Sequence, residues 1–163
     1  IMFPQVNNLS DAEYAVRSVK YPPKGIRGIA GATRANNFGR EIDYVSTADK
    51  NICVICQIES VEACKNIKEI ASTEGVDLLF IGPGDLSADM GFIKNRSAAE
   101  VKEMAIQVLN ETKKLNKPCG IMVSNITEAK EMLKIGFSVI AVTTDLVLLR
   151  NAVDEIGLLA KNN

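Results

Sequence analysis

Short apolar runs alternate with amphipathic stretches along this chain, and the alternation predicts a strand followed by a helix five times over. The first strand covers Ile1 to Val6. Ser10-Asp-Ala-Glu13 has the spacing of a capping box and predicts a helix reaching Lys20. Tyr21-Pro-Pro-Lys-Gly-Ile-Arg-Gly28 stops that helix, because adjacent prolines cannot continue it. Residues 29–40, rich in Gly, Ala and Asn, predict a long loop of the kind compact domains keep for function. A short helix from Glu41 to Lys50 then leads into the second strand, Ile52 to Ile58. A helix over Val61 to Ser72 and a break at Gly75 precede the third strand, Val76 to Ile81. Ser97-Ala-Ala-Glu100 reads as a second capping box, opening a helix to Leu115 that Lys117-Pro118 ends. The fourth strand, Cys119 to Val123, is followed by a helix over Thr127 to Ile135 closed by Gly136. The fifth, Phe137 to Val142, is followed by a helix over Asp145 to Leu159.

Strands alternating with helices imply an α/β fold with a parallel sheet, either an open doubly wound sheet or a (β/α) barrel. No G-x-G-x-x-G and no Walker sequence supports a nucleotide fold. No linker or shift in composition divides the chain, so residues 1–163 read as a single domain.

Composition narrows the function. The net charge is −1, with 5% aromatic residues and no Trp, which argues against a nucleic-acid surface. No apolar run approaches the roughly 20 residues that span a membrane, and no signal peptide opens the chain, so the expected location is the cytoplasm. Cys53 and Cys56 form a C-x-x-C inside a β-branched run. Positions three apart on a strand face opposite sides, so the cysteines read as reduced core thiols rather than a metal grip. There is no histidine at all. That removes Ser-His and Cys-His nucleophiles and the commonest general base, and it leaves oxygen donors for any metal.

The chemistry then concentrates at two strand ends. Ile81-Gly-Pro-Gly-Asp-Leu-Ser-Ala-Asp-Met-Gly91 presents Asp85 just past the third strand, and Glu59 ends the second. Carboxyl ends of parallel strands share one rim, so two carboxylates on neighbouring strands can converge on one hard cation. Gln57 shares the parity of Glu59 and points the same way, one layer deeper, as a donor for an anionic ligand. Gly84 has no side chain and lets backbone amides approach a carboxylate closely. Each carboxylate taken alone could instead cap the helix after it. The pair, with Gln57 behind it, favours a cation site. Arg27 and Arg34 could make anion contacts, but packing or surface roles are the favoured reading for both.

Three stretches, Tyr21-Pro-Pro-Lys-Gly-Ile-Arg-Gly28, Gln57-Ile-Glu59 and Ile81 to Gly91, together resemble the metal-dependent 2-oxo-acid aldolases. These are enzymes similar to the 2,4-dihydroxyhept-2-enedioate and 2-dehydro-3-deoxyglucarate aldolases of the citrate-lyase/pyruvate-kinase-like superfamily. The resemblance runs from Ile1 to Val153. It implies a (β/α)8 TIM barrel in which Glu59 and Asp85 hold Mg²⁺ or Mn²⁺, while Gln57, Gly84 and Asp85 hold pyruvate. The reaction it implies is (retro-)aldol cleavage of a 4-hydroxy-2-oxo acid to pyruvate and an aldehyde, through a metal-stabilised enolate.

The resemblance also implies three further strand–helix units ahead of these five, carrying the catalytic His base and an enolate-stabilising Arg. No catalytic residue of the chain itself is therefore assigned. A complete barrel takes about 250 residues, and the 163 present come near five eighths of that. Thr143-Thr144-Asp145 departs from the Gly-Val-Asp common in the family. A homo-oligomer, a hexamer in the family, is implied as well, often with the last helix packed on a neighbour; the apolar face of Asp145 to Leu159 fits that and equally fits packing against its own barrel. Two other readings stand beside this one: a citryl- or malyl-thioester lyase of the same superfamily, and a non-catalytic relic or assembly module.

Overall fold

In a computed structural model, which describes residues 1–93 and 95–161, five strands form one parallel sheet. They are β1 (Met2–Phe3), β2 (Ile55–Ile58), β3 (Leu78–Ile81), β4 (Cys119–Met122) and β5 (Val139–Ala141). Their spatial order is their chain order, β1-β2-β3-β4-β5, and every neighbouring pair is parallel. A doubly wound sheet reverses its strand order at a switch point. This one never does, so it is an arc of a (β/α) barrel, five consecutive units long.

Helices return the chain between strands: α1 (Leu9–Val19), α2 (Tyr44–Asn51), α3 (Val61–Lys65), α4 (Ile67–Ser72), α5 (Pro83–Asp89), α6 (Ala99–Lys114), α7 (Ile126–Ile135) and α8 (Asp145–Lys161). Alternate strand positions face these helices. Cys56, Ile58, Leu79, Ile81, Cys119 and Ile121 join Val16, Ile70, Val101, Leu109 and Met132 in one buried core. The opposite parity, Gln57, Phe80 and Gly120, lies level across three strands on the other face. There Gly120 makes room for a ring, since a Cβ on it would sit 2.7 Å from Phe80 Cδ2 and 3.0 Å from the Val139 carbonyl oxygen.

The helix starts differ from those the sequence suggests. Asn8, not Ser10, caps α1, its side chain accepting from Asp11 N–H at 3.0 Å. Ala98 precedes α6 with no side-chain cap, so Ser97 does not cap it. The expected single helix after β2 is broken at Asn66, where φ −90° and ψ 12° leave the helical region. The expected loop over 29–40 holds a 3₁₀ turn, Arg34–Gly39. It is tied by the buried Asn36, which accepts from Thr33 N–H at 2.8 Å and Gly39 N–H at 3.1 Å and donates to the Gly31 carbonyl at 2.9 Å.

Cys56, Cys64 and Cys119 are buried free thiols as expected, but Cys53 is exposed rather than in the core, because it lies ahead of β2, which begins at Ile55. No helix among the described residues is long and apolar enough to cross a membrane. The last helix, α8, stands apart from the core: Leu146, Leu149, Val153 and Ile156 are each at least 57% exposed.

Candidate active site

The register of β2 against β3 builds the site. Ile58 pairs with Ile81, so the next residues, Glu59 and Gly82, are level, and Gly82 N–H donates to the Ile58 carbonyl at 3.3 Å. The Glu59 side chain folds over Gly82, occupying the space a Cβ there would need. It is only 6% exposed. Its Oε1 accepts from Gln57 Nε2 at 3.0 Å. Its Oε2 accepts from the Gln5 backbone N–H at 3.1 Å and from Gln5 Nε2 at 3.4 Å. Burial pushes the Glu59 carboxyl above the usual carboxylate range; the Gln5 N–H opposes this and the negative charge of Asp85 adds to it.

Asp85 projects, exposed, from the first turn of α5, which follows β3, the strand next to that of Glu59. Gly82 is the N-cap and Pro83 opens the helix, a position where a missing N–H costs nothing. Leu86 N–H closes the first helical bond, to the Gly82 carbonyl at 3.1 Å, so the amides of Gly84 and Asp85 precede it without an intrahelical acceptor. A Cβ on Gly84 would meet nothing within 4 Å, so the space beside these amides is open. Asp89, at the far end of α5, accepts from Val61 N–H at 2.7 Å and ties α5 to the start of α3.

Capping explains neither carboxylate. Ser60 caps α3, accepting from Ala63 N–H at 3.0 Å, and Gly82 occupies the cap of α5. Glu59, Asp85, Gln57 and Gly84 all fall on the carboxyl rim of β2 and β3. Sequence reasoning missed three neighbours. Gln5 sits in a stretch read as plain strand, Gly82 matters only once the strand register is known, and Asp89 had no signal beyond its place in the Ile81–Gly91 stretch.

The two arginines lie elsewhere. Tyr21 to Gly28 follows α1 and leads toward the amino end of β2, the rim opposite the carboxylates. Arg27 stacks on Tyr21, 4.5 Å from its centroid, and donates to the Tyr44 hydroxyl at 2.9 Å. Ile26 N–H donates to the Arg17 carbonyl at the end of α1 at 2.9 Å, and Arg27 N–H to the carbonyl of Lys20, its C-cap, at 2.9 Å. Arg27 is thus a packing residue, and Arg34 is exposed at the start of the 3₁₀ turn. After β5, Thr144 Oγ1 accepts from Val147 N–H at 3.3 Å, so the Thr143-Thr144-Asp145 turn starts α8. A cavity of about 160 Å³ lies behind the sheet between α6 and α7, lined by Val101, Ala105, Ile121 and Met132 rather than by the carboxylates.

The donor set fits a hard cation. No three His, Cys, Asp or Glu side chains cluster among the described residues, so Glu59 and Asp85 stand as a pair. None of the ion pairs among the described residues involves either one. A buried carboxylate beside a second carboxylate, with no basic partner among the described residues, is an arrangement a divalent ion relieves, and magnesium sites of one or two carboxylates completed by water and substrate oxygens are ordinary.

The sequence profile of the HpcH/HpaI aldolase/citrate lyase family matches residues 1–152. A 5-keto-4-deoxy-D-glucarate aldolase of Shigella boydii is 39% identical over 156 residues, 96% of this chain and 61% of its own. A 4-hydroxy-2-oxo-heptane-1,7-dioate aldolase of Escherichia coli is 41% identical over 158 residues, 96% of this chain and 60% of its own. A crystal structure of an HpcH/HpaI aldolase/citrate lyase family protein from Burkholderia cenocepacia superposes with a TM-score of 0.91 at 34% identity, covering 98% of this chain and 64% of that one. The chain therefore spans about three fifths of the length of the curated relatives it matches.

Proposed function

The chain belongs to the HpcH/HpaI aldolase/citrate lyase family, and we propose that it forms the cation- and pyruvate-binding part of a carbon–carbon lyase. The reaction is the (retro-)aldol cleavage of a 4-hydroxy-2-oxo acid to pyruvate and an aldehyde. The observation that carries this reading is the pairing of buried Glu59 with Asp85 on successive strand ends, with no ion pair to either among the described residues. The relatives' names add that similar chains act as aldolases on 2-oxo acids.

Each residue then has a role. Glu59 and Asp85 hold Mg²⁺ or Mn²⁺. Bound there, the ion supplies Lewis-acid stabilisation of the negative charge that develops on the carbonyl oxygen of the pyruvate unit. Gln57 orients Glu59 with one amide hydrogen and keeps a second for the ligand. The amides of Gly84 and Asp85, in the open first turn of α5, receive the pyruvate carboxylate. The Gly84 position leaves room for it to approach.

The proton-transfer base is assigned to none of these residues, since the chain has no histidine. We place it on three further βα units that close the barrel against the open edges of β1 and β5. The apolar stripe of α8 supports assembly as a homo-oligomer, a hexamer by the resemblance, in which that stripe is covered.

Pyruvate release from a 4-hydroxy-2-oxo acid, followed with lactate dehydrogenase, tests the proposal. Turnover is expected when strands bearing a His base are supplied together with this chain. A monomer of these 163 residues that turned over alone would contradict it.

A further inference from the structure

Gln5 takes no part in the chemistry assigned above, yet its geometry is directed at it. Its φ of +54° lies in the left-handed region, which a residue with a Cβ adopts at a cost. That conformation aims its N–H at Glu59 Oε2, 3.1 Å away, and its side-chain Nε2 reaches the same oxygen at 3.4 Å. The peptide is also pinned from the other side, where Asn7 Nδ2 donates to the Gln5 carbonyl at 3.1 Å. Asn7 is itself fastened to the second βα unit. Its side-chain oxygen accepts from Ser60 Oγ, and its carbonyl accepts from Asn66 Nδ2 at 2.9 Å. Val6, only 3% exposed, anchors the turn between them in the core. Residues fifty-odd positions apart in sequence are thus clasped so that one strained backbone presents two donors to a single carboxylate oxygen.

We propose that Gln5 is a positioning residue for Glu59: its two donors on Oε2, with the Gln57 amide on Oε1, lock the carboxylate in one orientation before a cation binds. The inference rests on reading Glu59 as a cation ligand. A carboxylate held this way gives up little rotamer freedom on binding, and losing a partner of this kind typically costs about 10–100-fold in metal affinity. The backbone donor survives any ordinary substitution, so the side-chain amide is the separable part.

Mn²⁺ titration by calorimetry on the full chain, with urea unfolding alongside, tests it in wild type, Gln5→Gly and Gln5→Leu. Both substitutions remove the amide and keep the N–H, and glycine adopts the positive φ without strain. The expected result is Mn²⁺ binding about tenfold weaker in both variants, the low end for such partners, with the urea midpoint of Gln5→Gly at or above that of wild type. Unchanged affinity in both variants overturns the role of Gln5 and leaves the Glu59–Asp85 site standing. Affinity that falls only in step with the urea midpoint also overturns it, since a purely structural residue behaves so. Wild type that binds no Mn²⁺ overturns the cation site itself, and this inference with it.

Discussion

Glu59 lies on Gly82: a Cβ at Gly82 would stand 2.8 Å from Glu59 Cγ and 3.0 Å from Cδ, and would collide with Oε1. Gly82 has a φ of −99°, which any residue adopts, so the glycine serves space rather than backbone freedom. Gly82→Ala should therefore fold normally and displace the Glu59 carboxylate. We expect Mn²⁺ affinity to drop about tenfold or more, measured by calorimetry, with an unchanged circular dichroism spectrum.

Gly120 offers the contrast. It is equally short of room, but its neighbours are Phe80 and Val139, away from the carboxylates. Gly120→Ala should destabilise the fold by about 1–3 kcal/mol through overpacking, seen in urea unfolding, while Mn²⁺ affinity stays within twofold of wild type.

The cysteines predict a pH response. Burial pushes the Cys56 and Cys64 thiols up to about 11 and Cys119 to about 12, from an ordinary value of 9.0. A raised thiol favours the folded state while the unfolded chain is also protonated, below pH 9.0, and that contribution is lost as pH climbs toward 11 and 12. Stability should thus fall steadily above pH 9.0. At pH 8 a thiol reagent should label Cys53 alone in the folded chain and all four cysteines in urea.

Helix α8 predicts an oligomer. Leu146, Leu149, Val153 and Ile156 recur at helical spacing on one exposed stripe. Burying a leucine contributes about 1.5–3 kcal/mol, so the double substitution Leu149→Glu and Ile156→Glu should shift the sedimentation profile to smaller species. An unchanged profile would place the interface elsewhere.

Much of this was legible in the sequence because it depends on order. Five apolar runs separated by amphipathic ones dictate parallel strands, and parallel strands put the residues after Ile58 and Ile81 on one rim. What was not legible depends on register and on competition between nearby polar groups. Gly84 drew attention in the Gly-Pro-Gly turn, whereas Gly82 is the one under Glu59, and only the pairing of Ile58 with Ile81 reveals that. Ser10 and Asn8 can both cap, and the geometry of the turn after β1 selects Asn8. Gln5 carries no pattern at all, because its role comes from a positive φ and from Asn7. Arg27 takes the packing role that its sequence context favours over an anion contact, stacked on Tyr21 and bonded to Tyr44.

The most direct measurement is calorimetric binding of pyruvate with and without Mn²⁺, in wild type and in Glu59→Gln and Asp85→Asn. Pyruvate should bind wild type only when Mn²⁺ is present, and either substitution should abolish the binding while the fold is retained. Pyruvate binding that is indifferent to Mn²⁺, or that survives both substitutions, would contradict a site built on Glu59 and Asp85.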